Sequence, residues 1–156
     1  IVVSLMVVRN ILRGQDWQDP LRLYSRENSL HPWDAVMANN VGVEMFRQGQ
    51  GLQALPYFQR ATELNLVWDV GWNNLGAAYE KRNDYEQALS CYVKAMSLGS
   101  YALAYENYVY LLYKMGQEQE AKVQLSKALI KFPYNRRLLS LDELIRASAR
   151  SERTTN

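Results

Sequence analysis

The chain has one cysteine, Cys91, and one histidine, His31, among 156 residues. A single thiol cannot close an internal disulfide, so the fold neither needs an oxidising compartment nor excludes one. No histidine–cysteine metal set and no Cys/His catalytic pair can be built from that inventory, so no metal and no other cofactor is expected. A glycine-rich phosphate loop, a G-x-S-x-G and an H-E-x-x-H are all missing. His31 stands between Leu30 and Pro32 in an expected turn, and Cys91 precedes Tyr92 in an expected helix, where a packed thiol is the default. The carboxylate pairs Asp84/Glu86 and Glu118/Glu120 fall at helix starts, where they favour the positive end of the helix dipole. No catalytic constellation remains, and the chain itself is not expected to be an enzyme.

An excess of one charge is also missing. The formal net charge is +2, and through the middle of the chain lysines and arginines alternate with acids, which argues against a nucleic-acid partner. Arginines collect only at the ends: Arg9, Arg13, Arg22 and Arg26 on one side, Arg136, Arg137, Arg146, Arg150 and Arg153 on the other. Most of these read as solvated helix faces. The long apolar run is short of a membrane span as well. Ile1 to Val8, I-V-V-S-L-M-V-V, holds seven apolar residues and one serine, whereas a spanning helix takes about 20. It reads as the last turns of a spanning helix that begins upstream and ends near Val8, with Arg9 and Arg13 at headgroup level. The other reading is an apolar helix folded on the domain, but the run has no polar face.

What the sequence does have is repetition. In Asp69 to Ser100, residues Trp72, Leu75, Gly76, Tyr79, Ala88, Tyr92 and Ala95 follow W-x2-L-G-x2-Y and then A-x3-[aromatic]-x2-A. A shift back by 34 residues places Val41, Gly42, Ala54, Phe58 and Ala61 on the same positions, and a shift forward by 33 places Leu112, Ala121, Leu125 and Ala128 there. This pattern resembles the tetratricopeptide repeat family. The resemblance implies an all-α, right-handed solenoid, an α-α superhelix with terminal capping helices, because one such unit cannot bury its apolar face alone. The expected divisions are residues 1–33 (apolar segment and a degenerate half-repeat helix), repeats at 35–68, 69–101 and 102–135, a capping helix to 150 and a disordered tail 151–156.

Local signals fix the helix ends. Asp19 can cap and Pro20 can open a helix carrying Leu21, Tyr24 and Asn28 on one face, with Trp17 as its anchor. Gly49, Asn83 and Gly116 close the first helices of the three repeats, and Asp84 with Gln87 has the spacing of a capping box. Pro56 lies inside a second helix but in its early turns. Gly99 and Ser100 absorb the residue by which the second interval falls short. Tyr108 and Val109 replace the Leu75 and Gly76 of the middle repeat, so the third hairpin should be wider or rotated. Leu138, Leu141, Leu144 and Ile145 give the capping helix one apolar face.

In this family the first helices line a concave groove, so the resemblance implies that columns of equivalent residues face a ligand. One column is Asn40, Asn74 and Asn107. Side-chain amides both donate and accept, so such a row can bind an extended peptide's backbone without reading its sequence; it resembles the asparagine ladder of O-linked N-acetylglucosamine transferases. Local helix–helix bonding is the competing explanation. The neighbouring positions are Val36, Asn39, Val43, Phe46 and Arg47, then Val70, Asn73, Ala77, Glu80 and Lys81. The third helix contributes Leu103, Glu106, Tyr110, Tyr113 and Lys114. Phe46, Tyr110 and Tyr113 are aromatics with no assigned place in the repeat core and read as interface anchors. Arg47, Lys81 and Lys114 form a cationic column suited to a carboxylate. A clamp for chaperone C-terminal tails does not fit, since Asn39, Val70, Leu103 and Asn107 stand where its lysines and arginines would be.

The expected function is therefore a non-catalytic protein- or peptide-binding scaffold. Self-association through the aromatics of the third repeat stays open. The alternative rests on Arg9, Asn10, Arg13, Trp17, Leu21, Leu23 and Tyr24, which after the apolar run resemble the junction in polytopic membrane glycosyltransferases with tetratricopeptide tails. That resemblance implies a tail outside the cytoplasm that positions an acceptor protein; otherwise a soluble cytoplasmic chain is expected.

Overall fold

The computed structural model describes residues 19–154. The apolar run Ile1–Val8, the junction residues before Asp19 and the anchor Trp17 lie outside the described residues. The chain divides into two compact units after Val67.

The first unit holds helices α1 (Pro20–Leu30), α2 (Ala35–Arg47) and α3 (Gly51–Leu64). Asp19 caps α1 by accepting the Arg22 N–H at 3.2 Å, with Pro20 at the first helical position. Asp34 caps α2 more fully, taking the N–H groups of Val36 and Met37 at 2.8 and 3.2 Å. These bonds satisfy donors that no preceding turn can serve. Gly49, at φ +80°, makes the turn into α3, a conformation that costs other L-residues about 1–2 kcal/mol. Helix α3 runs through Pro56 without interruption. The α2–α3 core is Ala38, Val41, Ala54, Phe58 and Ala61, all buried, and α1 lies on α2 without a fully buried residue of its own.

The second unit holds α4 (Asp69–Lys81), α5 (Tyr85–Leu98), α6 (Ala102–Lys114), α7 (Glu118–Lys131) and α8 (Arg136–Thr154). Helices α4, α6 and α8 form an inner layer, and α5 and α7 pack outside them. Asn83, at φ +65°, and Gly116, at φ +75°, turn the two hairpins. Only three residues separate α5 from α6, against four between α3 and α4. Gly99 lies in that shortened turn, where a Cβ would run into the carboxylate of Asp69. The expected capping box does not form. Asp84 makes no side-chain cap bond, because its carboxylate is drawn to Arg82 at 2.6 Å.

Small residues decide how closely each hairpin closes. A Cβ on Gly42 would lie 2.7 Å from the Phe58 ring, and one on Gly76 2.6 Å from the Tyr92 ring. In the third hairpin Val109 holds the glycine position and Leu125 the ring position; both are buried in one cluster with Leu112, Leu138 and Ile145. A branched residue thus faces a smaller partner, and α6 and α7 approach less closely than α4 and α5. Leu138 and Ile145 of α8 close this core. Helix α8 continues to Thr154, into the stretch 151–156 expected to lack structure; no glycine or proline after Arg136 interrupts it.

Candidate protein-binding face

In the first unit the expected site residues lie on α2. Val43 and Arg47 are exposed, Asn40 and Phe46 are half-buried, and Asn39 is only 5% exposed. The Phe46 ring sits 6.4 Å from that of Phe58, so it completes the hairpin core and is not a free anchor. Arg47 pairs with Glu44, one turn back, at 3.1 Å. Glu44 is buried and also accepts from Gln48 at 3.0 Å, which leaves the Arg47 guanidinium compensated by its own helix.

In the second unit the columns meet through side chains one repeat apart. Asn107 Nδ2 donates to Asn73 Oδ1 at 3.0 Å, and Asn73, 2% exposed, in turn donates to Asn74 at 3.3 Å. Part of the asparagine row therefore joins α4 to α6. A buried amide without such a partner would cost roughly 1–3 kcal/mol. Lys114 Nζ bonds Glu80 Oε1 at 3.2 Å while the Tyr92 hydroxyl donates to Glu80 Oε2 at 3.1 Å. The Glu80 hydrogen bond holds the Lys114 ammonium above its ordinary pKa. Burial, with Glu80 beside it, pushes the Tyr92 hydroxyl far upward. Lys81 is exposed, and Ala77 and Tyr113 are half-buried. Tyr113 packs against the Val109–Leu125 core, so of the three aromatics only Tyr110, 46% exposed, stands open.

Tyr110 faces a cleft of about 350 Å³ between α6 and α8. Glu106, Asn107 and Tyr110 form one wall; Arg136, Leu141 and Leu144 form most of the other. Asn135 caps α8 through the Leu138 N–H at 3.0 Å and donates to Glu106 Oε1 at 2.7 Å. Arg137 Nε lies 3.2 Å from Glu106 Oε2. Sequence reasoning took Arg136 and Arg137 for solvated charges and missed this cleft. The available signal was their position: two cations in the first turn of a helix oppose its dipole.

His31 is exposed, with its ring 5.7 Å from that of Trp33. Cys91 is buried, and burial pushes its thiol up to about 11, the behaviour of an inert packed cysteine. Among the described residues no cluster of His, Cys, Asp or Glu is placed to hold a metal, and no helix is long and apolar enough to cross a membrane.

Antiparallel hairpins of 13- and 14-residue helices, glycines at the first two crossings and polar links at one-repeat spacing define an all-α solenoid of helical repeats. Residues 70–100 match the family model for the tetratricopeptide repeat, and the fold of the chain is that of the tetratricopeptide-repeat solenoids. The APC/C hetero-tetramer Cut9-Hcn1 superposes with a TM-score of 0.78 at 20% identity, covering 87% of this chain and 26% of that one. The second tetratricopeptide domain of human RPAP3, solved with the HSP70 peptide SGPTIEEVD, gives 0.67 at 24% identity, covering 74% and 97%. At these identities the likeness is one of fold. Protein O-mannosyl-transferase Tmtc3 of Drosophila melanogaster is 30% identical over 87 residues, 55% of this chain and 9% of that protein. The chain thus matches less than a tenth of that relative's length.

Proposed function

We propose that the chain is a non-catalytic protein-binding module that takes extended peptide on the open faces of its first-of-hairpin helices, α2 in the first unit and, separately, α4 with α6 in the second. The observation that carries this reading is the asymmetry of those helices. One face of each is closed into an apolar core, built around Phe58, Tyr92 and Leu125 in turn, while Val43, Lys81 and Tyr110 at equivalent or neighbouring positions remain exposed. Asn40, Asn74 and Asn107 supply half-buried amides beside them. Exposed apolar and cationic groups flanked by amides suit a peptide backbone with mixed side chains.

A peptide selected from a random library on the full chain tests this. Replacing Asn40, Asn74 and Asn107 together by Ala should weaken that peptide by roughly 0.5–1.5 kcal/mol per lost bond, with the far-ultraviolet circular dichroism unchanged. Ile130→Ala, on the outer helix α7, should leave the affinity as it was. Unchanged binding by the triple variant would make the row purely structural and remove it from the site.

A second reading has its own observation, the 30% identity to a stretch of the O-mannosyl-transferase Tmtc3. On that reading the repeats are the non-catalytic tail of a membrane glycosyltransferase, and the same face positions an acceptor protein. Alkaline-washed membranes blotted with an antibody against residues 34–150 decide it. A band well above 18.1 kDa retained in the membranes supports the tail, and a soluble band near that mass removes it.

A further inference from the structure

Rows of half-buried amides can hold a backbone but choose no sequence, so selectivity must come from a more shaped feature. The cleft between α6 and α8 has one. Its apolar side is Leu141, Leu144 and Tyr110, the last two being 43% and 46% exposed. Large side chains this open, gathered around one concavity, are an unfilled apolar seat.

Its polar side is unbalanced in two ways. Arg136 and Arg137 occupy the first turn of α8, and no acid accompanies them there. Cations at that end oppose the helix dipole, and departures from local rules concentrate at functional sites. Arg137 is offset by Glu106 at 3.2 Å, whereas Arg136 is exposed and makes no ion pair among the described residues. Independently, Glu106 is 6% exposed and lines the cleft, and its Oε2 has no hydrogen bond. The Arg137 approach is close enough for an ion pair but lacks hydrogen-bond geometry. A buried carboxylate oxygen left in this state wants an N–H donor.

We propose that this cleft binds an internal acidic–aliphatic step of a partner protein, a Glu or Asp followed by Leu, Ile or Val in an extended segment. The ligand carboxylate pairs with Arg136, its aliphatic side chain fills the seat between Leu141, Leu144 and Tyr110, and a backbone N–H reaches Glu106 Oε2. The charges agree with this assignment. Glu106 and Arg137 cancel, so Arg136 gives the cleft a net positive charge and favours a single acid. The proposal rests on the reading of the inner helices as a peptide-binding face and names the selective element within it.

The probe is the peptide Ac-SGSELSGS-NH2, blocked at both ends so that its glutamate is the sole carboxylate. Amide spectra of the isotope-labelled full chain are followed up to millimolar peptide. Saturable shifts are expected at Tyr110, Leu141 and Leu144, with binding weakened about tenfold when the peptide glutamate becomes glutamine. Arg136→Gln in the protein should lose the same factor, and Leu144→Ser should weaken both peptides. Both positions are exposed, so neither change should threaten folding. No saturable shift in the cleft, or equal affinity for the glutamine peptide, overturns the proposal. So does binding only when the peptide ends in a free C-terminal carboxylate, because the ligand would then be a chain end. Shifts at Val43 and Ala77 without any at Leu144 would overturn this assignment while leaving the broader groove reading standing; silence at all of them would remove both.

Discussion

Adding one methyl group at Gly76 tests the packing account most sharply. The Cβ would lie 2.6 and 2.7 Å from two carbons of the Tyr92 ring and 3.2 Å from the Ala88 carbonyl oxygen. Tyr92 is fully buried, and its hydroxyl is tied to Glu80 at 3.1 Å, so the ring cannot swing aside without breaking that bond. Overpacking of this kind costs about 1–3 kcal/mol, offset by about 1 kcal/mol because alanine is the better helix former. The backbone oxygen as a second wall places the result in the upper part of that range. Gly76→Ala should lose about 1–2 kcal/mol in urea unfolding followed at 222 nm. The double variant Gly76→Ala plus Tyr92→Leu should lose less than the sum of the two single changes, since Val109 opposite Leu125 already realises that pairing in the third hairpin. A Gly76→Ala protein as stable as the parent, or simple additivity, would refute the close-approach argument.

Other changes probe other links. Asn107→Ala removes the partner of a buried amide and should cost roughly 1–2 kcal/mol without loss of helix, measured by the same unfolding curves. Gly116→Ala, in open space but at φ +75°, should cost about 1 kcal/mol through backbone strain alone, read as a lower melting temperature. For Cys91 the folded thiol stands near 11 against 9.0 unfolded, so the unfolded chain releases its proton first as pH rises. Stability should be undiminished below pH 9 and fall as pH rises towards 11. A Cys91→Ala variant should show a shallower decline over that interval.

Much of the fold was legible because repetition multiplies weak signals. Val41, Leu75 and Ala88 are unremarkable alone, yet their recurrence at 33 and 34 residues carried the resemblance to a helical-repeat solenoid. A cap with a single local partner, Asp19 on the Arg22 N–H, was legible as well. The Asp84 capping box failed because a charged neighbour, Arg82, competed for the same carboxylate. The candidate site was less accessible for a similar reason. Sequence position showed that Asn73, Glu80 and Glu106 share columns with their equivalents, but not that these side chains reach partners on the next inner helix. Tyr113 and Tyr110 are three residues apart on one helix, and only their neighbours decide that the first packs into the core and the second opens on a cleft.

The central claim is that the inner helices, and not the outer ones, carry the binding face. A photo-crosslinking amino acid placed at Tyr110 on α6, and separately at the 84% exposed Ile130 on α7, tests it in cells that make the protein. The account expects a discrete crosslinked partner polypeptide at position 110 and none at position 130. The same adducts at both positions, or a partner captured at position 130 alone, would contradict it.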